Sequence, residues 1–386
     1  MRTQLGLEVF FEAHLDRVAG LRFGLLACPS SVDSQLRGSV DRLHSHPALN
    51  LVALFGPEHG IRGDAQAGSL VASAIDPRAS LPVYSLYGES KSPTAEMLAD
   101  LDVILIDLQD AGARFYTFLA TTLYVMRAAK AAGVAVILLD RPAPIGGMRV
   151  EGPLLDRAYA SFVGPYPLPI RYGMTIGEVA LFVNEREIGC ELTVIPMRGW
   201  SRAMWFDETG LPFIPSSPNL PTLEAVTLYP GTCLVEGTNL SEGRGTTRPF
   251  EYIGAPWIDA ESLADELNER LLAGLRFRPV YFVPTFSKYQ GELCAGAHVY
   301  VTDRDALQPV NSMLHILQTL KRRYPDEFAW RQPWSDGARP PIDLLWGSDS
   351  LRNCIDSDQP VDSLIESWEP DTRDFERNCA EVLLYS

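Results

Sequence analysis

Basic residues are in short supply. Thirty-three lysines and arginines stand against 49 aspartates and glutamates in 386 residues, a formal net charge of -16. Nucleic-acid binding needs a face that neutralises phosphates, so this balance speaks against it. An acidic surface also fits a small soluble ligand better than a polyanionic polymer. Long apolar runs are missing too: no stretch reaches the roughly 18 residues of a membrane span, and no membrane partner is expected. The N-terminus shows no apolar segment before Glu8 and Glu12. It does not read as a signal peptide, and the cytoplasm is the expected compartment. Cys28, Cys190, Cys233, Cys294, Cys354 and Cys379 form no CxxC or other metal-ligand spacing. They read as buried free thiols of a reducing compartment.

Several fingerprints are absent. No G-x-G-x-x-G follows the first apolar run, where Phe23-Gly24-Leu25 continues straight to Cys28-Pro29. There is no phosphate-binding G-x-x-x-x-G-K-[ST], no H-E-x-x-H and no G-x-S-x-G. No cofactor and no metal are therefore expected. His44 and His46, just before Pro47, read as a surface feature at a helix end.

What is present is alternation. Apolar runs at Leu21–Ala27, Leu49–Phe55, Pro82–Leu86, Val103–Leu108, Val134–Asp140 and Glu191–Pro196 read as strands. Helical patterns lie between them at Leu36–His46, Thr94–Ala99, Phe115–Ala132 and Thr175–Glu187, the last opening with a Thr175/Glu178 capping box. Continuous apolar strands alternating with helices predict a parallel sheet covered on both faces. The expected fold is α/β: a Rossmann-like doubly wound parallel-sheet domain over residues 1–228, then a smaller α+β domain over 229–386 that closes a cleft. In the second part, Thr222–Val235 reads as a helix interrupted at Pro230-Gly231. Helices are expected at Ala260–Leu272 and Asp305–Tyr324, strands at Phe277–Pro284 and His298–Val301, and then a tail carrying Trp330, Trp334 and Trp346.

Four polar, irregular segments could carry chemistry. The first is the turn Gly56-Pro57-Glu58-His59-Gly60, with Arg62 and Asp64 close behind. It puts a carboxylate, an imidazole and a guanidinium at the carboxyl end of a strand, where open α/β sheets bind ligands. The second runs from Asp107 through Asp110 to Arg114 and Tyr116. The third is Asp140-Arg141-Pro142, in which Asp140 reads first as a helix cap or turn residue. The fourth is the loop Asn239–Thr247, whose glycines and Arg244 suit an anion. In a parallel sheet the first three lie along one edge.

Taken together, Phe55–Gly60, Asp107–Asp110 with Arg114–Thr117, Asp140–Pro142, Pro218-Asn219-Leu220-Pro221 and Glu236–Thr246 resemble the NamZ exo-β-N-acetylmuramidases, formerly a domain of unknown function. The resemblance runs from about Phe23 to Leu384. It implies a glycoside hydrolase that removes N-acetylmuramic acid from the non-reducing ends of peptidoglycan fragments, with its active site in a cleft between two domains. It places the leading catalytic glutamate on Glu58. Many members carry an export signal; this chain reads without one, which fits cytoplasmic recycling of imported fragments.

The chemistry of the residues is compatible. Most glycosidases use two carboxyl groups, one protonated and one ionised. Glu58 is the expected general acid, with His59 orienting it or holding the proton. The second carboxylate is Glu242, Asp107 or Asp110, unless the substrate acetamido group is itself the nucleophile. A guanidinium is the usual reader of the lactyl carboxylate, and Arg62, Arg114 and Arg244 are the candidates, Arg114 favoured by its place near a helix start. Tyr116 or a tryptophan is the candidate platform for the sugar face, and Asn219 and Thr246 complete the expected binding set. The partner is thus a small saccharide or muropeptide, with the oligomeric state open. Two other readings compete: a metal-assisted hydrolase built from Glu58, His59, Asp107 and Asp110, and a muropeptide-binding module that does no chemistry.

Overall fold

A computed structural model describes residues 2–63, 74–333, 335 and 337–386. Asp64 and Trp334 lie outside the described residues. Strands β1 (Arg22–Ala27), β2 (Asn50–Gly56), β3 (Ala74–Ile75), β4 (Pro82–Ser85), β5 (Val103–Asp107), β6 (Ala135–Leu139) and β7 (Leu192–Ile195) form one sheet in the order β3-β4-β2-β1-β5-β6-β7. All neighbours are parallel except β3 and β4. The chain winds outward from β1 through β2 to β4, then returns to β5 and winds the other way. This is the doubly wound order, with its switch point between β1 and β5.

Side-chain alternation explains why these strands read as unbroken apolar runs. Leu26, Phe55, Ile104, Ile106, Val136 and Leu138 face one core. Phe23, Leu25, Leu51, Leu105, Ile137 and Leu139 face a second, on the opposite side of the sheet. Helices α1 (Gly6–Ala13) and α2 (Ser39–His44) cover the second face; α4 (Thr117–Ala132) and α5 (Ile176–Val183) cover the first, and the short α3 (Ala95–Leu98) packs on α4. Gly133, in the left-handed region, ends α4, and Thr175 with Glu178 forms the expected capping box on α5.

The smaller sheet contains β8 (Tyr252–Ala255), β9 (Leu275–Phe282) and β10 (Cys294–Val301), antiparallel, with β10 central. Pro279 lies in β9, an edge strand, where its missing N–H does not interrupt the sheet interior. Around it lie α6 (Leu223–Thr232), α7 (Ala260–Glu269), α8 (Pro309–Arg323), α9 (Pro341–Trp346), α10 (Ser350–Asp356) and α11 (Val361–Cys379). One apolar core runs without interruption from the large sheet into this region. Residue 228 falls inside α6.

The crevice at the β1/β5 switch point is filled by the chain itself. Arg141 grips Asp107 through two bonds of 2.6 and 2.9 Å and also donates to the Val32 carbonyl. Ser31 donates to the Asp107 carbonyl. The hollow left there is about 20 Å³, room for about one water.

Candidate active site

The large cavity lies to one side of that crevice, off the carboxyl ends of β2, β4 and β5. It measures about 600 Å³, within the range of small-molecule sites. Glu58 enters from the turn after β2, Tyr87 from the segment after β4, and Thr117 from the first residue of α4. Glu236, Glu242 and Arg244 enter from the segment between α6 and β8, and Lys288 from the β9–β10 connection.

Glu58 is half-buried, and its carboxylate accepts a 2.7 Å hydrogen bond from the Thr117 hydroxyl. Tyr87 also hydrogen-bonds to it; burial, then the Glu58 charge, push the phenol well above its ordinary value, so it stays protonated. The turn that presents Glu58 is tight. His59 and Gly60 both adopt φ of 73°, and Gly60 N–H donates to the Pro57 carbonyl. Left-handed backbone costs a histidine something that it does not cost a glycine, so the structure holds this turn against strain. His59 is buried and is not among the residues that line the cavity.

Glu242 is buried between two cations. Lys288 Nζ donates to Oε2 at 3.0 Å, and Arg244 Nε lies 3.2 Å from Oε1. Burial alone would raise its pKa, but Lys288 and Arg244 together outweigh that, and the carboxyl lies below the ordinary glutamate value. Arg244 also binds Glu236 at 2.6 Å, and its Nη1 is buried with no hydrogen-bond partner among the described residues. The loop around it needs its glycines. Gly243 and Gly245 have φ near 80°, and a Cβ on Gly245 would sit 2.6 Å from the Phe286 carbonyl oxygen. On the facing loop, Ser287 and Tyr289, the two neighbours of Lys288, are left-handed non-glycine residues, a second place where strain is spent on presenting a charge.

The other expected residues go elsewhere. Asp107 lies on the sheet edge as its strand requires, but its charge is taken by Arg141. Asp110 is buried, accepting from Tyr172 and from Gly112 N–H; burial raises it to about 6. Asp140 serves as a tie, accepting from Thr175, Gly177 N–H and the C-terminal Tyr385. Arg62 pairs with Asp76 through two bonds of 2.9 and 3.0 Å and does not line the cavity. Tyr116 is a core residue, donating to Ser216 and packing on Phe118. Asn219 is buried outside the cavity lining, and Thr246 closes its own turn onto the Gly243 carbonyl.

Arg114 departs furthest from expectation. It precedes α4, but its side chain runs to the far end of another helix. It donates to the carbonyls of Pro153, Leu168, Leu345 and Trp346, the last two at the C-terminus of α9, where a helix favours a cation. No surface is left to meet a ligand, and burial pulls the guanidinium down to about 9. Arg114→Met strands these carbonyls in the interior. A loss of about 3–5 kcal/mol in urea unfolding is expected, with KM of the folded protein unchanged; a raised KM at full stability would return Arg114 to the binding site.

Tyr87, Thr117, Glu236, Lys288 and Arg331 are cavity residues that sequence patterning passed over as candidates. Among the described residues no group of three or more His, Cys, Asp or Glu side chains is placed to hold a metal ion.

Several carboxyl groups gathered in one sugar-sized cavity suit a glycoside hydrolase. The chain belongs to the NamZ exo-β-N-acetylmuramidase family: the family's N-terminal model matches residues 23–224 and its C-terminal model residues 227–385. It is 46% identical over 385 residues to the peptidoglycan β-N-acetylmuramidase NamZ of Bacillus subtilis, covering 100% of this chain and 92% of that protein. Two crystal structures of DUF1343-family proteins from Bacteroides fragilis are similar across 100% of this chain and 99% of theirs. One has a TM-score of 0.91 at 37% identity, the other 0.79 at 29%.

Proposed function

We propose that this protein hydrolyses the β-glycosidic bond of a terminal N-acetylmuramic acid at the non-reducing end of peptidoglycan fragments, with Glu58 as general acid. The observation that carries the reading is the pair of hydroxyls on the Glu58 carboxyl, Thr117 and Tyr87. A hydroxyl donates to an ionised carboxylate and accepts from a protonated one, so the same contacts serve both sides of a proton transfer. Glu242 is kept ionised by Lys288 and Arg244, and its role is to hold these two cations in place at the cavity wall. Arg244, which lines the cavity, is the guanidinium assigned to the lactyl carboxylate. The Bacillus subtilis relative is a peptidoglycan β-N-acetylmuramidase, which supports the substrate class. Six free cysteines fit work on imported fragments in a reducing compartment.

The test is parallel incubation with 4-nitrophenyl β-N-acetylmuramide and the corresponding β-N-acetylglucosaminide. Release from the muramide alone is expected. Release from neither, with the intact disaccharide also uncut, would leave a binding protein in place of an enzyme.

A further inference from the structure

The Glu58 cavity does not end at Lys288. Lys288 and Arg331 also form a wall of an adjoining groove of about 640 Å³, more open to solvent, whose other lining includes Thr238, Asn239, Tyr289 and Trp330. The groove is fastened together by specific bonds. Arg331 N–H donates to the Gly237 carbonyl at 2.8 Å and Asn239 N–H to the Ala329 carbonyl at 2.9 Å. The Asn239 side chain donates to the Glu327 carbonyl and accepts from Ala329 N–H. These bonds lay residues 327–331 along the segment that leads into Glu242. The Trp330 indole is held in turn: its Nε1 donates to Asp356 at 2.8 Å, and it packs edge-on to Phe328 at 5.1 Å.

The two spaces differ in charge. The Glu58 cavity is lined by three glutamates and by Arg244, Lys288 and Arg331. Apart from the shared wall, the groove presents neutral side chains and two aromatic rings. At that wall, Lys288 is already committed to Glu242 and to the Val235 and Leu240 carbonyls. An enzyme that acts at a chain end needs an enclosed place for the terminal unit and an open way out for the rest.

We propose that the groove holds the leaving-group side of the substrate, a neutral pyranose of the glycan strand that lays its C–H face on the Trp330 ring. This rests on the glycosidase reading, and extends it by naming where the neutral part of the chain lies and what recognises it. The groove selects an uncharged sugar by shape and apolar contact, and the cavity selects the acidic one by charge.

Product inhibition separates the two spaces. Chitobiose is the neutral probe and N-acetylmuramic acid the acidic one. In Trp330→Ala the inhibition constant for chitobiose is expected to rise about tenfold or more, while that for N-acetylmuramic acid stays as in the unaltered protein. Trp330→Phe should keep most of the chitobiose inhibition, and so should Asp356→Ala, which cuts the indole tie but leaves the ring. Unchanged chitobiose inhibition in folded Trp330→Ala overturns the proposal. Equal loss for both sugars overturns it as well, since that is what a structural role would give. If the unaltered protein hydrolyses no muramide, the glycosidase reading fails on its own; calorimetric titration of chitobiose into both proteins still decides the groove.

Discussion

Glu58→Gln should lower kcat on the muramide by about 10²- to 10⁴-fold and leave KM nearly unchanged. Glutamine has the shape of glutamate and still offers an oxygen to the Thr117 hydroxyl, so the turn and the cavity persist. What it lacks is a proton to give to the departing oxygen. The size of the deficit should therefore depend on the leaving group. With a 2,4-dinitrophenyl muramide, whose phenolate departs without protonation, most of the lost rate should return. A deficit that persists with this substrate would make Glu58 a nucleophile or base instead. Full activity with the natural linkage would pass the acid role to Glu236, the cavity carboxyl that is not clamped between two cations.

The sequence made Glu58 visible for a physical reason. A run of buried apolar residues that stops at Gly-Pro-Glu-His-Gly has to turn, and a turn at the carboxyl end of a parallel strand faces a ligand. The same logic reached the large sheet, because Val103–Asp107 and Ala135–Leu139 are buried on both faces and leave no alternation to misread. It missed α1, eight residues with few polar positions, β8, four residues that include a glycine, and α9, α10 and α11, which it read only as a tail. It also expected Pro230-Gly231 to interrupt a helix that in fact runs on to Thr232. Gly231 is there for packing: a Cβ would meet the Pro309 carbonyl oxygen at 2.1 Å, where α8 begins. The site was legible only as far as each side chain's partner was local. Arg114 looked like an anion reader because its neighbours in sequence form a helix start, while its actual partners at Leu345 and Trp346 lie more than 200 positions away. Asp107 reads as one of three candidates for the second carboxylate because nothing in its own segment reveals Arg141. Lys288 went unnoticed for the converse reason: a lysine in a strand connection reads as solvated until the fold carries it to Glu242.

Arg244→Lys should cost about 10²-fold or more in kcat/KM on the muramide and much less on the glucosaminide, collapsing the preference between them. Arg244 spends Nε on Glu242 and Nη2 on Glu236, which leaves Nη1 buried without a partner. A guanidinium on the cavity wall favours a substrate that brings a carboxylate over one that lacks it. Lysine keeps the positive charge but has no fork, so it cannot hold two glutamates and still face a third anion. Arg244→Ala goes further, because Glu242 then keeps Lys288 alone. Its folded pKa, now depressed by both cations, should rise, and the acid limb of the pH–rate profile should move to higher pH in Arg244→Ala. The two variants divide the residue's work: the lysine variant reports on reading the substrate, the alanine variant on holding Glu242 charged. An Arg244→Lys protein that hydrolyses both sugars in the same ratio as the unaltered enzyme would remove Arg244 as the lactyl reader and pass that role to Arg331, the remaining guanidinium on the cavity wall.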